Sequence, residues 1–214
     1  MTASATTATA MGGASGGYPV QLSFDPDQRI NRLWGIPYFG WLVRAIIVIP
    51  HFIVLWVLGV LTGLSVLVSW IPVLLMGKQN ETLVSLYATT YSYTARLYGY
   101  LFFLAGPYPP IMPGASDYPI NLQVDGSGSI NRLWGIPILG IYARAILVIP
   151  HAILLFFLYF AVFFLSLVIW IPILINGRMP SIGYAVYGGF LRLTVRVSMY
   201  VLLVPVRYPP ISLT

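Results

Sequence analysis

The sequence predicts an α-helical integral membrane protein with four transmembrane helices, set out as two parallel tandem repeats with short interfacial helices and a small cytoplasmic β-like cap. Three observations predict it. Of the 214 residues 58% are hydrophobic and only 7% charged, with mean hydropathy +0.85, whereas a soluble domain covers itself with roughly 25% charged residues. Residues 18–114 align on 118–214 without a gap, at an offset of 100, with 38 identities in 97 pairs. Composition alone would give roughly a tenth of the positions. Each copy also holds one apolar run too long for a single span of about 20 residues.

The opening residues 1–17 (MTASATTATAMGGASGG) are small, polar and uncharged. They lack the basic start and apolar stretch of a signal peptide, so they are expected to form a disordered tail. After them come the repeats, 18–114 and 118–214. INRLWGIP stands at 30–37 and 130–137, WIP at 70–72 and 170–172, and YPPI at 108–111 and 208–211. Self-similarity of this length is duplication.

Each repeat starts with period-two alternation. Val20, Leu22 and Phe24 alternate with Gln21, Ser23 and Asp25, and Ile120, Leu122 and Val124 with Asn121, Gln123 and Asp125. That pattern reads as a short strand with one face buried. The closing Tyr-Pro-Pro-Ile is restricted to extended backbone, and strands and closing segments together make the cap that ties the units together.

The apolar run from Ala45 to Met76 is divided by Pro50. From His51 to Trp70 is about 28 Å of helix, a match to the hydrocarbon core with Trp70 at one interface. The preceding Tyr38–Ile49, with Trp41 and Arg44, is left as an interfacial helix; one helix kinked at Pro50 is the alternative. Beyond Gly77-Lys78-Gln79-Asn80, a second helix runs over about Thr82–Ala105. Its Ser85, Thr89, Ser92 and Arg96 form a polar stripe expected to face the bundle interior. In the second copy Gly188 and Gly189 share that face with Arg192 and Arg196, and are expected to allow close helix contact.

Two spans per unit would make both units enter the bilayer from one side, about a twofold axis along the membrane normal. Arg29, Arg32, Arg44, Arg132, Arg144 and Arg207 would share the side of the termini, against Lys78 and Arg178 opposite. The positive-inside rule then places both termini in the cytoplasm.

One element carries a family resemblance. Arg44…Ile49-Pro50-His51 and Arg144…Ile149-Pro150-His151, each ahead of an apolar helix, together with the Tyr-Pro-Val and Tyr-Pro-Ile openings at 18–20 and 118–120, resemble the bacterial membrane family known as domain of unknown function 4389. The resemblance covers nearly all of the chain after the tail, as two copies, and implies a bacterial inner-membrane protein. It brings no activity and no catalytic residue.

The chemistry available is narrow. There is no Cys, so thiolate metal sites and cysteine nucleophiles are excluded. No Gly-rich phosphate loop and no Gly-x-Ser-x-Gly occurs, and no carboxylate pairs with a histidine in sequence; an enzyme is not expected. Nor is a nucleic-acid partner, because the cations are scattered singly along apolar runs rather than clustered on one face. The two histidines, His51 and His151, hold equivalent positions. A parallel pair of repeats would bring their imidazoles to one depth, able to ligate a haem or a metal ion; the alternative is that each bonds backbone or lipid phosphate at a helix start. Arg96 and Arg196 fall well inside their helices, where an unpaired cation costs at least about 2.5 kcal/mol. With Arg44, Arg144 and Arg192 they form basic clusters suited to an anionic phospholipid headgroup, or to an ion pair with Asp25 or Asp125. The expected role is a structural or accessory subunit, held to other membrane subunits or to copies of itself. A haem-binding, metal-binding or solute-conducting bundle is the alternative.

Overall fold

The computed structural model describes residues 17–26, 28–114, 117–204 and 207–213. The expected tail, 1–17, lies outside them but for Gly17.

The elements recur at the expected offset. In the first unit β1 (Val20–Phe24) leads through a 3-10 turn, Arg32–Gly35, to α1 (Phe39–Ile47), α2 (Ile49–Val66), α3 (Trp70–Met76) and α4 (Glu81–Leu101). In the second, β2 (Ile120–Val124) and the 3-10 turn Arg132–Gly135 lead to α5 (Leu139–Leu147), α6 (Ile149–Ser166) and α7 (Trp170–Asn176). Then α8 (Ser181–Gly183), a π-helical turn over Tyr184–Gly188 and α9 (Gly189–Val201) follow one another.

Local chemistry sets the boundaries. Asn31 and Asn131 accept from the N–H of Leu33 and Leu133, which starts each 3-10 turn, and Asn80 caps α4 through Thr82 N–H. The chain breaks at Val48, between α1 and α2, with Pro50 in the first turn of α2, where its missing N–H costs nothing. The expected interfacial helix, α1, and the apolar helix α2 are therefore separate, as the division at Pro50 implied. Gly77 and Gly177 end α3 and α7 with φ of 67° and 64°, the left-handed conformation that glycine takes without strain.

The strands pair antiparallel, with Leu22 opposite Leu122 and Val20 opposite Val124. Leu22 and Leu122 are equivalent residues of the two units, so the pseudo-twofold axis passes through this pair, across the ribbon. Each strand packs on the helix of the other unit. Arg96 Nε donates to Ile120 O and Arg192 Nε to Leu22 O. The 3-10 turns are exchanged too, with Ile30 N–H bonded to Gly177 O and Ile130 N–H to Gly77 O.

Helices α4 and α9 run antiparallel. The start of α4 meets the end of α9 where Gln79 Nε2 donates to Leu202 O, and its other end meets the π turn where the Phe102 and Tyr187 rings stack 5.0 Å apart. Along α4, Val84, Arg96 and Gly99 face β2 and the residues after it. Tyr87, Thr90 and Tyr93 face Ser65, Thr62 and His51 of α2. At 3.6 residues per turn these two sets lie on opposite sides of the helix. The molecule is thus layered: ribbon, then α4 and α9, then α1–α3 and α5–α7.

This corrects the expected arrangement. Four parallel spans would make α4 and α9 parallel, with Lys78 and Arg178 remote from Arg29, Arg32 and Arg132. Instead Arg29 and Arg178 share a β-bridge. Among the described residues two helices are long and apolar enough to cross a membrane, α2 and α6, and only 17% of each is buried. The polar stripe reaches the interior only at Arg96, which is buried: Ser85 is exposed and Thr89 and Ser92 half-buried, while the buried face also carries Tyr87, Thr90, Tyr93 and Leu97. Gly188 and Gly189 make room for Phe24 and Leu213, not for another helix.

Candidate functional site

Arg44 is fully buried in α1 at the C-terminal end of α4, where Nη1 donates to Tyr100 O and Ala105 O. Phe103 N–H bonds Tyr100 O and Leu104 N–H bonds Gly99 O, the pair of hydrogen bonds that closes a helix in a Schellman motif. Its left-handed residue is Phe103, at φ 59°, a strained conformation for a bulky side chain. The ring so placed stands 4.4 Å from the Arg44 guanidinium carbon, with Tyr100 at 4.2 Å and Trp34 at 5.2 Å. A cation here needs no carboxylate. The Tyr100 and Ala105 carbonyls and the negative end of the α4 dipole supply acceptors, and three ring faces surround the rest. Burial pulls Arg44 down to about 10, so it remains cationic at neutral pH.

The second unit repeats the arrangement. Arg144 Nη1 donates to Tyr200 O at 2.9 Å, its guanidinium carbon lies 4.5 Å from the Tyr200 ring, and Leu203 takes the left-handed position. The other arginines expected to hold headgroups also serve backbone. Arg96 holds β2, Arg192 holds β1 and Leu213 O, and Arg196 Nη1 donates to Ser212 O. Arg96 and Arg196 lie over the rings of Tyr118 and Tyr18, whose hydroxyls burial pushes upward. Arg96, Arg192 and Arg196 fasten helices to the ribbon and the C-terminal segment, while Arg44 and Arg144 hold the ends of α4 and α9. None of them forms an open basic cluster.

The histidines do not converge. His51 Nδ1 pairs with Tyr93 Oη at 2.7 Å, and its ring packs edge-on against Tyr108. His151 Nε2 donates to Pro209 O at 2.9 Å, with Tyr208 Oη beside Nδ1. His51 lies against α4 and the first Tyr-Pro-Pro segment, His151 against the second, whose Tyr208 packs on Tyr200 of α9, and antiparallel α4 and α9 hold those ends apart. A bis-imidazole centre does not form, and no group of three metal-binding side chains exists among the described residues. Substituting both histidines by alanine should therefore give losses that add within about 0.5 kcal/mol. A double-mutant cycle in detergent measures this, and a coupling well beyond that value would require a shared centre.

Sequence reasoning passed over a different set. Arg29, Arg32 and Arg178 line one groove together, though the expected topology put Arg178 across the bilayer from the other two. A signal was present: the equivalent residues are Ser129, Arg132 and Lys78, so charge differs between the copies here.

No curated protein and no solved structure matches this chain. One family model does, over the stretch that begins in α1 and runs through α4 to the first Tyr-Pro-Pro-Ile segment: residues 40–112 match the model described as Domain of unknown function (DUF4389).

Proposed function

We propose that this chain is a membrane-embedded structural protein, two copies of the DUF4389-type unit folded into one slab that lies in the plane of a single leaflet. It acts as an accessory subunit or a homo-oligomer rather than an enzyme. The observation that carries this is the opposition of two faces. Gln21, Ser23, Asp25, Asn121, Gln123 and Asp125 are exposed on the ribbon, while α2 and α6, on the far side of α4 and α9, expose Ile53 at 68%, Trp56 at 70%, Phe157 at 63% and Phe164 at 61%. Moving such a helix face from water to hydrocarbon is worth on the order of 10 kcal/mol per helix. If α4 and α9 crossed the bilayer, the ribbon lying along them would cross too, and its polar edge would meet lipid at several kcal/mol per unsatisfied group. Lying in the plane puts each face in its own solvent.

The exposed cations Arg29, Arg32, Lys78, Arg132, Arg178 and Arg207 favour an anionic leaflet. With the family resemblance, this supports the cytoplasmic face of a bacterial inner membrane, with the ribbon and both termini in the cytoplasm.

Single cysteines at Asn80, Ser127 and Asn176, probed in sealed vesicles with an impermeant reagent, test the reading. All three should label from one side. Asn80 and Asn176 labelling together but opposite Ser127 would restore four parallel spans. Asn80 and Asn176 labelling on opposite sides would mean that α2 and α6 span in opposite directions.

A further inference from the structure

The groove of Arg29, Arg32 and Arg178 is built from both units, where the turn Arg32–Gly35 sits on α7. Arg29 and Arg178 are paired across a single antiparallel bridge, and Arg32 lays its side chain over Gly177. Opposed residues in such a bridge hold their Cβ atoms about 5 Å apart, and like charges there repel. The described residues lining the groove include no carboxylate. Among the described residues, three arginines thus line one groove with no carboxylate between them, and guanidinium binds phosphate in bidentate fashion.

On the other side of the same turn lies an apolar cavity of about 650 Å³, within the roughly 300–1,000 Å³ of ligand pockets. Trp34, Trp41, Phe163 and Trp170 wall it, over Ala95 and Leu191 of α4 and α9. The two spaces share their boundary: Arg32 and Pro172 line the groove, Trp34 and Trp170 the cavity. From α1 and α6 the cavity takes residues of the apolar layer, so in the proposed orientation it opens towards hydrocarbon while the arginines stand at headgroup level.

From this juxtaposition we infer that the junction of the first 3-10 turn with α7 is a specific binding site for one anionic phospholipid. The phosphate lies on Arg29, Arg32 and Arg178, and an acyl chain fills the cavity. Ser129 and Lys78 replace two of the three arginines at the equivalent junction, so the site belongs to one side of a nearly symmetric molecule. The inference rests on the membrane reading above.

Native mass spectrometry of the full chain in micelles carrying equal phosphatidylglycerol and phosphatidylcholine reads it directly. One phosphatidylglycerol should be retained per chain, preferred by roughly tenfold or more. The combined Arg29→Gln, Arg32→Gln and Arg178→Gln variant should lose that preference yet still float with phosphatidylcholine vesicles, since α2 and α6 are untouched. Thr194→Phe, placed in the cavity wall, should lower retention of either lipid. Excess inorganic phosphate should leave the lipid bound; complete displacement would reduce the site to an anion groove and overturn the acyl-chain half. Equal retention of both lipids by the unaltered chain, or an undiminished preference in the triple variant, overturns the proposal. Failure of the unaltered chain to float with any vesicle refutes the membrane reading itself, and the lipid site with it.

Discussion

Replacing Arg44 by leucine is expected to lower stability by about 3 kcal/mol or more, because each hydrogen bond from a charged donor contributes about 1.5–3 kcal/mol and Arg44 donates to two buried carbonyls. Removing the cation leaves Ala105 O, in a buried residue, without that donor, and takes the guanidinium from between three rings. For a chain of this size the loss corresponds to a drop in Tm of roughly 6–12 °C. Arg44→Lys should fall between the two, since an ammonium can reach a carbonyl but cannot stack as a plane. Arg144→Leu should behave alike, and the double variant should lose the sum, because the two cages sit at opposite ends of the antiparallel pair. Thermal unfolding in detergent checks all four variants, with exposed Arg132→Leu as a reference near zero. A change of less than about 1 kcal/mol at Arg44 would mean that the α4 end is held by its Schellman bonds alone.

The partners of these arginines are not legible in the sequence. An arginine deep in an apolar context carries a visible cost, and the sequence shows the cost but not the compensation. A carboxylate or a lipid phosphate is the partner one reaches for first. Here the partners are the backbone oxygens of Tyr100, Ala105, Ile120, Leu22 and Ser212, and main-chain acceptors leave no residue-type signature. The same holds for His151 on Pro209 O. The duplication fixed that His51 and His151 are equivalent. It did not fix whether their units run side by side or head to tail.

Local features were legible where short-range physics decides them. The alternation at 20–24 and 120–124 gave the ribbon, and Pro50 gave the break at Val48. The antiparallel order of α4 and α9 was not legible, because the count of spans assumed that every long helix crosses. In α4 Thr90, Tyr93 and Arg96 are buried against α2 and the ribbon; such a helix satisfies its polar groups within the protein and need not cross at all. What exchanges the strands and turns between units is contact over nearly the whole chain, and no local pattern encodes it.

The seam made by that exchange should be the most fragile part of the molecule, and two glycines test it. A Cβ on Gly35 would lie 2.4 Å from Leu174 N and 2.6 Å from Leu174 Cα, and one on Gly135 would lie 2.3 Å from Leu74 N. The obstacle in both cases is helix backbone, which cannot turn aside as a side chain does. Gly35→Ala should therefore push the 3-10 turn off α7 and lower stability by about 2–3 kcal/mol, the upper end for overpacking. Gly135→Ala should do the same to the turn on α3. Both together should remove the cooperative unfolding transition, since each turn holds one unit to the other. Gly59→Ala is the control: nothing lies within 4 Å of its added Cβ, and α2 should gain about 0.5–1 kcal/mol. The opposite signs matter more than the sizes, because all three changes add one methyl group to an apolar chain. If Gly35→Ala stabilises as Gly59→Ala does, the turn does not sit on α7, and the exchange that sets the units head to tail does not occur.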